Sequence, residues 1–381
     1  MKIAICHSFY STGDLSGENM VHNIHVKLLQ AAGHHVMEFS YYTKSSEPLF
    51  YLRSFFRVLV GFGKNPNRQI RKFKPDVIVV NNTFPNMGIR WLYRTRIPVI
   101  QFIHNYRFEC ANGLFFRKGK ICFECVNKSP TKALLYKCYR GSALATLPIV
   151  VNQYLRKYYN KNSTSKNTYI TLSNVQEKIF SKLNYRNLVT IHNTIGLPKK
   201  VSLDSKYLNN TWVVVSRIDN GKGIENLLKK WPTQVNLDII GDGPLLEKFK
   251  IDFSPNNFPN LKFLGAVERS NILSSLQNYE GAIFPSQTLE PGSISFIEYL
   301  YCGLPVILLE TNAMKDIVNS FNCGASLPEF DPDTLNRTIL DIARNRVSIS
   351  KNAVEAYNSC FSSEVWINNF NLVLKNVASK I

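Results

Sequence analysis

The residues best placed to do chemistry lie in the stretch from Leu289 to Val306, LEPGSISFIEYLYCGLPV, where two carboxylates, Glu290 and Glu298, stand eight residues apart. Between them Gly292, Ser293 and Ser295 are small enough to let backbone N–H groups around Ile294 approach an anion, and a helix starting there adds its dipole. A phosphate fits at that helix start. Glu298, about two turns further on, can accept hydrogen bonds from a ribose diol, while Glu290 reaches whatever lies beyond the phosphates. The same residues also suit a surface loop with one capping and one solvated glutamate, because charged residues at helix starts are common.

Three other groups of residues invite a chemical reading. Arg217 follows the apolar run Trp212 to Ser216, and Lys222 lies in Asn220-Gly221-Lys222-Gly223 just before a helix expected from Ile224. Two cations at such a junction can converge on one diphosphate, with Gly223 allowing the backbone to come close; two solvated charges beside a turn is the bland alternative. His104 ends the run Pro98 to Ile103, with Asn105 and Arg107 directly behind it. At the end of a parallel strand it faces the ligand edge, where it can bond a sugar hydroxyl or shuttle a proton, although a lone histidine is more often structural. Cys110, Cys122, Cys125 and Cys138, spaced C-x11-C-x2-C-x12-C, can close on a structural zinc or stay as thiols. Asp331-Pro332-Asp333 spells a DxD, but its place at the head of an apolar-periodic segment reads as a helix N-cap.

The elements that must carry these residues alternate. Short apolar runs of strand length occur at Lys2 to Cys6, His34 to Ser40, Pro75 to Val80, Pro98 to Ile103, Thr168 to Ser173 and Leu188 to Ile191. A second series follows at Trp212 to Ser216, Leu237 to Ile240, Leu261 to Leu264, Gly281 to Phe284 and Val306 to Glu310. Helical periodicity separates them, at Val21 to Leu29 for example, so the class is α/β with parallel sheets. Such sheets bind ligands at the carboxyl ends of their strands, where Ser16-Gly17-Glu18-Asn19 reads as another strand-to-helix loop. The polar stretch Lys199 to Asn210 separates the series, which gives domains 1–198 and 199–361.

A chain of 381 residues is long enough for two such cores. Its composition is that of a globular protein, with no run of 18 uncharged apolar residues to span a bilayer. The apolar start meets Ser11-Thr12-Gly13-Asp14 too early for a secretory leader, so a cytoplasmic location is expected. The formal charge of +19 asks for an anionic partner, which nucleic acid, lipid headgroups or phosphorylated small molecules would satisfy. Pro48 to Phe73 mixes Phe, Leu and Val with Arg53, Arg57, Lys64, Arg68, Arg71 and Lys72. It suits either an anionic membrane surface or a core-facing helix with a basic back. Against nucleic acid, the aromatics sit within apolar runs rather than among the basic residues.

Taken together, Glu290-x7-Glu298 followed by Gly303-Leu304-Pro305-Val306, the Arg217 and Lys222-Gly223 pair and the strand-end His104 resemble, in order, the motifs of family 4 glycosyltransferases. Gly292 and Ser293 replace the aromatic-glycine pair often found after the first Glu-Pro. The resemblance covers nearly the whole chain and implies a GT-B fold of two Rossmann-like domains facing across a cleft, with a last helix, about 362–381, crossing back to the first domain. It implies a diphosphate contact at Gly17 and donor binding at Gly243 in Gly241-Asp242-Gly243-Pro244. It implies His104, Arg217, Lys222 and Glu290 as catalytic residues, with Asn105, Arg107 and the cysteine cassette on the acceptor side, as in bacterial cell-surface polysaccharide enzymes. The activity implied is metal-independent, retaining transfer from a UDP or GDP sugar to a glycan or lipid-linked hydroxyl. A nucleotide-sugar epimerase or phosphorylase-like enzyme on the same fold, and a basic nucleic-acid-binding protein, are the alternatives.

Overall fold

The structure is a computed structural model that describes residues 1–9, 16–43, 49–162, 167–200 and 210–379. The polar Ser11 to Asp14 stretch, Pro48 and most of the Lys199 to Asn210 stretch lie outside the described residues. The chain divides into two compact units, one of residues 1–117, 122–196 and 366–381, the other of residues 118–121 and 197–365.

The first unit is built on a six-stranded parallel sheet of β1 (Lys2–Phe9), β2 (His35–Tyr42), β3 (Val77–Val80), β4 (Val99–Phe102), β5 (Thr168–Thr171) and β6 (Leu188–Thr190), in the order β2-β1-β3-β4-β5-β6. Strands covered on both faces need side chains that avoid water on both, which is why they read as unbroken apolar runs. Ile3, Ala4, Ile5 and Cys6 of β1 and Ile78 and Val79 of β3 are fully buried. Helix α1 (Gly17–Ala31) buries Val21, Leu28 and Leu29, but also Asn19, His22 and His25, so part of its inner face is polar. Two further helices, α2 (Phe50–Val60) and α3 (Asn67–Phe73), occupy the basic amphipathic segment. Helix α4 (Lys132–Leu135) and the long α5 (Ala143–Asn162) follow, then α6 (Asn174–Lys182).

The second unit has its own six-stranded parallel sheet of β7 (Thr211–Val215), β8 (Asn236–Ile240), β9 (Leu261–Gly265), β10 (Gly281–Phe284), β11 (Val306–Leu309) and β12 (Gly324–Leu327). Its order, β9-β8-β7-β10-β11-β12, reverses direction between β7 and β10, which is the switch point where doubly wound sheets bind nucleotides. The helices are α7 (Ile224–Leu228), α8 (Leu246–Asp252), α9 (Arg269–Leu276), α10 (Ile294–Tyr301), α11 (Lys315–Phe321), α12 (Pro332–Arg344) and α13 (Arg346–Cys360). Asp331 caps α12 by accepting the Thr334 N–H at 3.0 Å, with Pro332 inside the first turn, so the DxD is a helix start. The last helix, α14 (Ser363–Ala378), sends Trp366, Phe370, Val373, Leu374 and Val377 into the core formed by Ile3, Ile5, Val77, Val79 and Ile100 of the first sheet.

Candidate active site

In the second unit the switch point gathers residues from three loops. The loop after β7 carries Arg217 and leads to Gly223, which opens α7 with φ +72. A Cβ on Gly223 would stand 1.9 Å from the Pro285 carbonyl oxygen, so only glycine lets this loop lie against the one after β10. The Gln287 N–H closes the contact on the Gly221 carbonyl at 3.0 Å. This close approach delivers Lys222 to Glu290: Nζ lies 2.5 Å from Oε1, and Ser286 Oγ donates to the same oxygen at 2.6 Å. Glu290 is thus held by one cationic and one neutral donor. Lys222 has three N–H donors and Glu290 uses one, which leaves two to meet a ligand anion. Gly243 meets the same loop from the other side, for its Cβ would lie 2.2 Å from the Ile218 carbonyl oxygen.

Arg217 is largely exposed, with Nε 3.5 Å from Asp219 Oδ2, and does not touch Glu290. Gly292, Ser293, Ile294 and Ser295 form the start of α10. Ser293 is the N-cap residue, yet its hydroxyl turns to Ser295 Oγ at 3.1 Å and does not cap the first turn. The helix is anchored by Tyr299, whose oxygen accepts the Val215 N–H at 2.6 Å. Glu298, 4% exposed, is engaged through Oε1 by Arg269 Nη2 at 3.0 Å. Burial pushes its carboxyl up to about 7, against the pull of the Arg269 guanidinium. Sequence reasoning missed Arg269, since nothing marks a residue 29 positions upstream as the partner of Glu298.

In the first unit His104 follows β4 as expected, but it belongs to a network that the sequence did not reveal. The Asn81 amide nitrogen donates to His22 Nδ1 at 3.0 Å, and its oxygen accepts from His25 Nδ1 and His104 Nε2, each at 3.2 Å. His7 stacks on His22 with ring centroids 4.4 Å apart and donates from Nε2 to Asn19 Oδ1 at 3.0 Å. Burial and the neighbouring imidazoles hold His7 and His104 down at about 3 and His25 well below the ordinary histidine range. His104 is therefore neutral at physiological pH and serves as a hydrogen-bonding group; the proton shuttle considered from its position would need a pKa closer to neutrality. Asn105 accepts the Arg107 N–H at 2.9 Å and donates to Glu18 Oε2 at 3.4 Å. Gly17, expected in a loop, is instead the first residue of α1, because the helix begins at once after Ser16.

The four cysteines do not fit the zinc that their spacing allows. Among the described residues no group of three or more His, Cys, Asp or Glu side chains is arranged to hold a metal ion. Cys110 donates to Asn112 Oδ1 at 3.0 Å, and burial raises Cys125 and Cys138 above the ordinary thiol range.

Each sheet with its helices makes a Rossmann-like unit, and two such units in one chain make the fold a GT-B fold. Residues 200–358 match the family model described as Glycosyl transferases group 1. No curated protein sequence matches the chain. Among solved structures, HepE from Anabaena in complex with UDP aligns over 99% of this chain and 100% of its own at 14% identity, with a TM-score of 0.63. A sucrose-phosphate synthase from Thermosynechococcus elongatus aligns over 100% of both chains at 16% identity and TM-score 0.67. WaaG, a glycosyltransferase involved in lipopolysaccharide biosynthesis, aligns over 98% of this chain and 99% of its own at 14% identity and TM-score 0.59. At these identities the likeness is one of fold.

Proposed function

We propose that the protein is a retaining glycosyltransferase of the family 4 type that moves a sugar from a nucleotide sugar to a hydroxyl of a glycan or lipid-linked acceptor. The observation that carries this reading is the Lys222, Glu290 and Ser286 cluster at the switch point of the second sheet. When the bond from anomeric carbon to phosphate oxygen breaks, its electron pair leaves with the diphosphate. The two spare donors of Lys222, the exposed guanidinium of Arg217 and the uncapped N–H groups at the start of α10 stabilise that charge, so active-site metal is not required. Glu290 binds donor-sugar hydroxyls, Glu298 with Arg269 meets the ribose, and Gly243 and Gly17 let backbone approach the phosphates. His104, Asn105 and Arg107 are acceptor-side groups of the first unit.

UDP is the favoured nucleotide, since the HepE structures of the same fold hold UDP or UDP-glucose. A cell-surface polysaccharide, such as capsule or O-antigen, is the favoured product class, in keeping with WaaG. No helix among the described residues is long and apolar enough to cross a membrane. Helix α2, however, exposes Tyr51, Leu52 and Phe56 beside Arg53 and Arg57, and Phe62 follows it into solvent. Apolar side chains framed by cations suit the anionic cytoplasmic face of a membrane, where lipid-linked acceptors are reached.

Thermal stabilisation by UDP, GDP, ADP and their sugars tests the donor assignment, because a ligand bound only by the folded protein raises its melting temperature. Products analysed with and without acceptor then separate transfer from isomerisation or phosphorolysis. No stabilisation by any nucleotide, together with salt-dependent binding of nucleic acid, would overturn the reading.

A further inference from the structure

A cavity of about 50 Å³ lies inside the first unit, beside the end of β4, and two arginines line it. Allowing about 10–15 Å³ per water-sized group, it holds about four oxygens, the complement of a hydrated carboxylate or a phosphate. Arg156 is 4% exposed, and its Nη1 has only long contacts, 3.5 Å to Tyr93 Oη and 3.4 Å to Gln101 Oε1. Arg107 Nε and Nη1 are buried and make no hydrogen bond, and neither does Nε2 of Gln101, itself 2% exposed and part of the cavity wall. Among the described residues neither guanidinium makes a close ion pair, although the Arg107 charge acts on the Glu18 carboxyl.

The guanidinium faces are covered. Arg156 lies 3.7 Å from the Phe108 ring centroid and Arg107 lies 4.4 Å from that of Phe84. Such stacking holds the planes in place but leaves the buried Nε and Nη1 of Arg107 without a hydrogen bond, which is costly for a cation. The other ionisable groups in the wall are His104, whose imidazole burial holds neutral, and Glu18, whose carboxyl burial pushes up to about 7 against the pull of the Arg107 guanidinium. The buried side-chain atoms of the lining residues that lack a hydrogen bond, Nε and Nη1 of Arg107 and Nε2 of Gln101, are all donors, which suits an oxyanion.

We propose that the cavity binds an oxyanion, carboxylate or phosphate, carried by the acceptor, so that the preferred acceptors are acidic glycans or phosphate-bearing ones. This deepens the acceptor assignment made above and rests on it. Arg107 and Arg156 grip the anion by their N–H edges, Gln101 adds a neutral donor, and the position of the anion sets which hydroxyl is presented.

Titration calorimetry on the full chain, with UDP present, tests this with matched pairs: glucuronate against glucose for the carboxylate, glycerol 3-phosphate against glycerol for the phosphate. We expect one anion of the two to bind at least tenfold tighter than its neutral partner. Arg107→Gln should remove most of that preference, Arg107→Lys should keep part of it, and Gln101→Leu should weaken it severalfold. Lys222→Ala should leave it intact. Equal binding of both anions and their neutral partners, or an anion preference that survives Arg107→Gln and disappears in Lys222→Ala, would overturn the proposal. UDP affinity measured on the same samples separates the two readings: a protein that binds UDP but shows no anion preference loses only this inference, and one that binds the anion but no nucleotide loses the donor assignment.

Discussion

Replacing Lys222 by alanine should separate catalysis from stability. In the folded protein Lys222 Nζ sits 2.5 Å from Glu290 Oε1, with the lysine side chain 32% exposed and the glutamate 15%. A charge-assisted hydrogen bond in partial contact with water contributes roughly 1 kcal/mol, and Ser286 continues to satisfy Glu290 in the variant. The melting temperature should therefore drop by only about 2–4 °C. Turnover should suffer far more. Loss of one preorganised donor to a developing oxyanion costs about 10²–10³ in rate, equivalent to roughly 3–4 kcal/mol. Initial rates of nucleotide release at saturating donor, read beside a thermal melt of the same sample, give both numbers. The double variant Lys222→Ala/Glu290→Gln sharpens the test: neutralising the glutamate should return the lost stability and none of the activity. A single variant that works within threefold of the parent, or a double variant that regains turnover, would refute the role given to Lys222.

Three further outcomes follow from the same structure. Glu298 has a folded-state pKa near 7, above its unfolded value, so it opposes folding increasingly as pH rises from about 4.5 through 7, by roughly 1–3 kcal/mol at most. Glu298→Gln never ionises, and without nucleotide its melting temperature should gain on the parent between pH 5 and pH 8; a constant offset would contradict the burial argument. His7 is fully buried with its pKa held at about 3, so the stability tied to its neutral form is complete above about 6.5 and lost as pH falls toward 3. Acid melts should accordingly be shallower for His7→Gln than for the parent. On α2, Leu52 and Phe56 are about half exposed. Changing both to serine should leave the melt unaltered and cut co-sedimentation with anionic vesicles by about tenfold or more, since each loses a favourable apolar insertion. Undiminished binding would remove the membrane-facing role of this helix.

Much of this protein was legible in the chain itself. Unbroken apolar runs of strand length announced the buried parallel strands, and Asp331 with Pro332 announced the start of α12. Residue type and loop position singled out Lys222 and Glu290, which the fold brings into contact although 68 residues separate them. These features are local: periodicity, capping and turn chemistry depend on neighbours a few positions away. The tertiary structure decided the rest. It joined Arg269 to Glu298, gathered His22, His25 and His104 around Asn81, and set Arg107 and Arg156 around one cavity. It also kept four cysteines, spaced as metal ligands often are, from forming a metal site among the described residues. Strand order and helix packing choose which distant side chains meet and how much water they lose, and no local pattern encodes either, because both arise only when the sheets assemble.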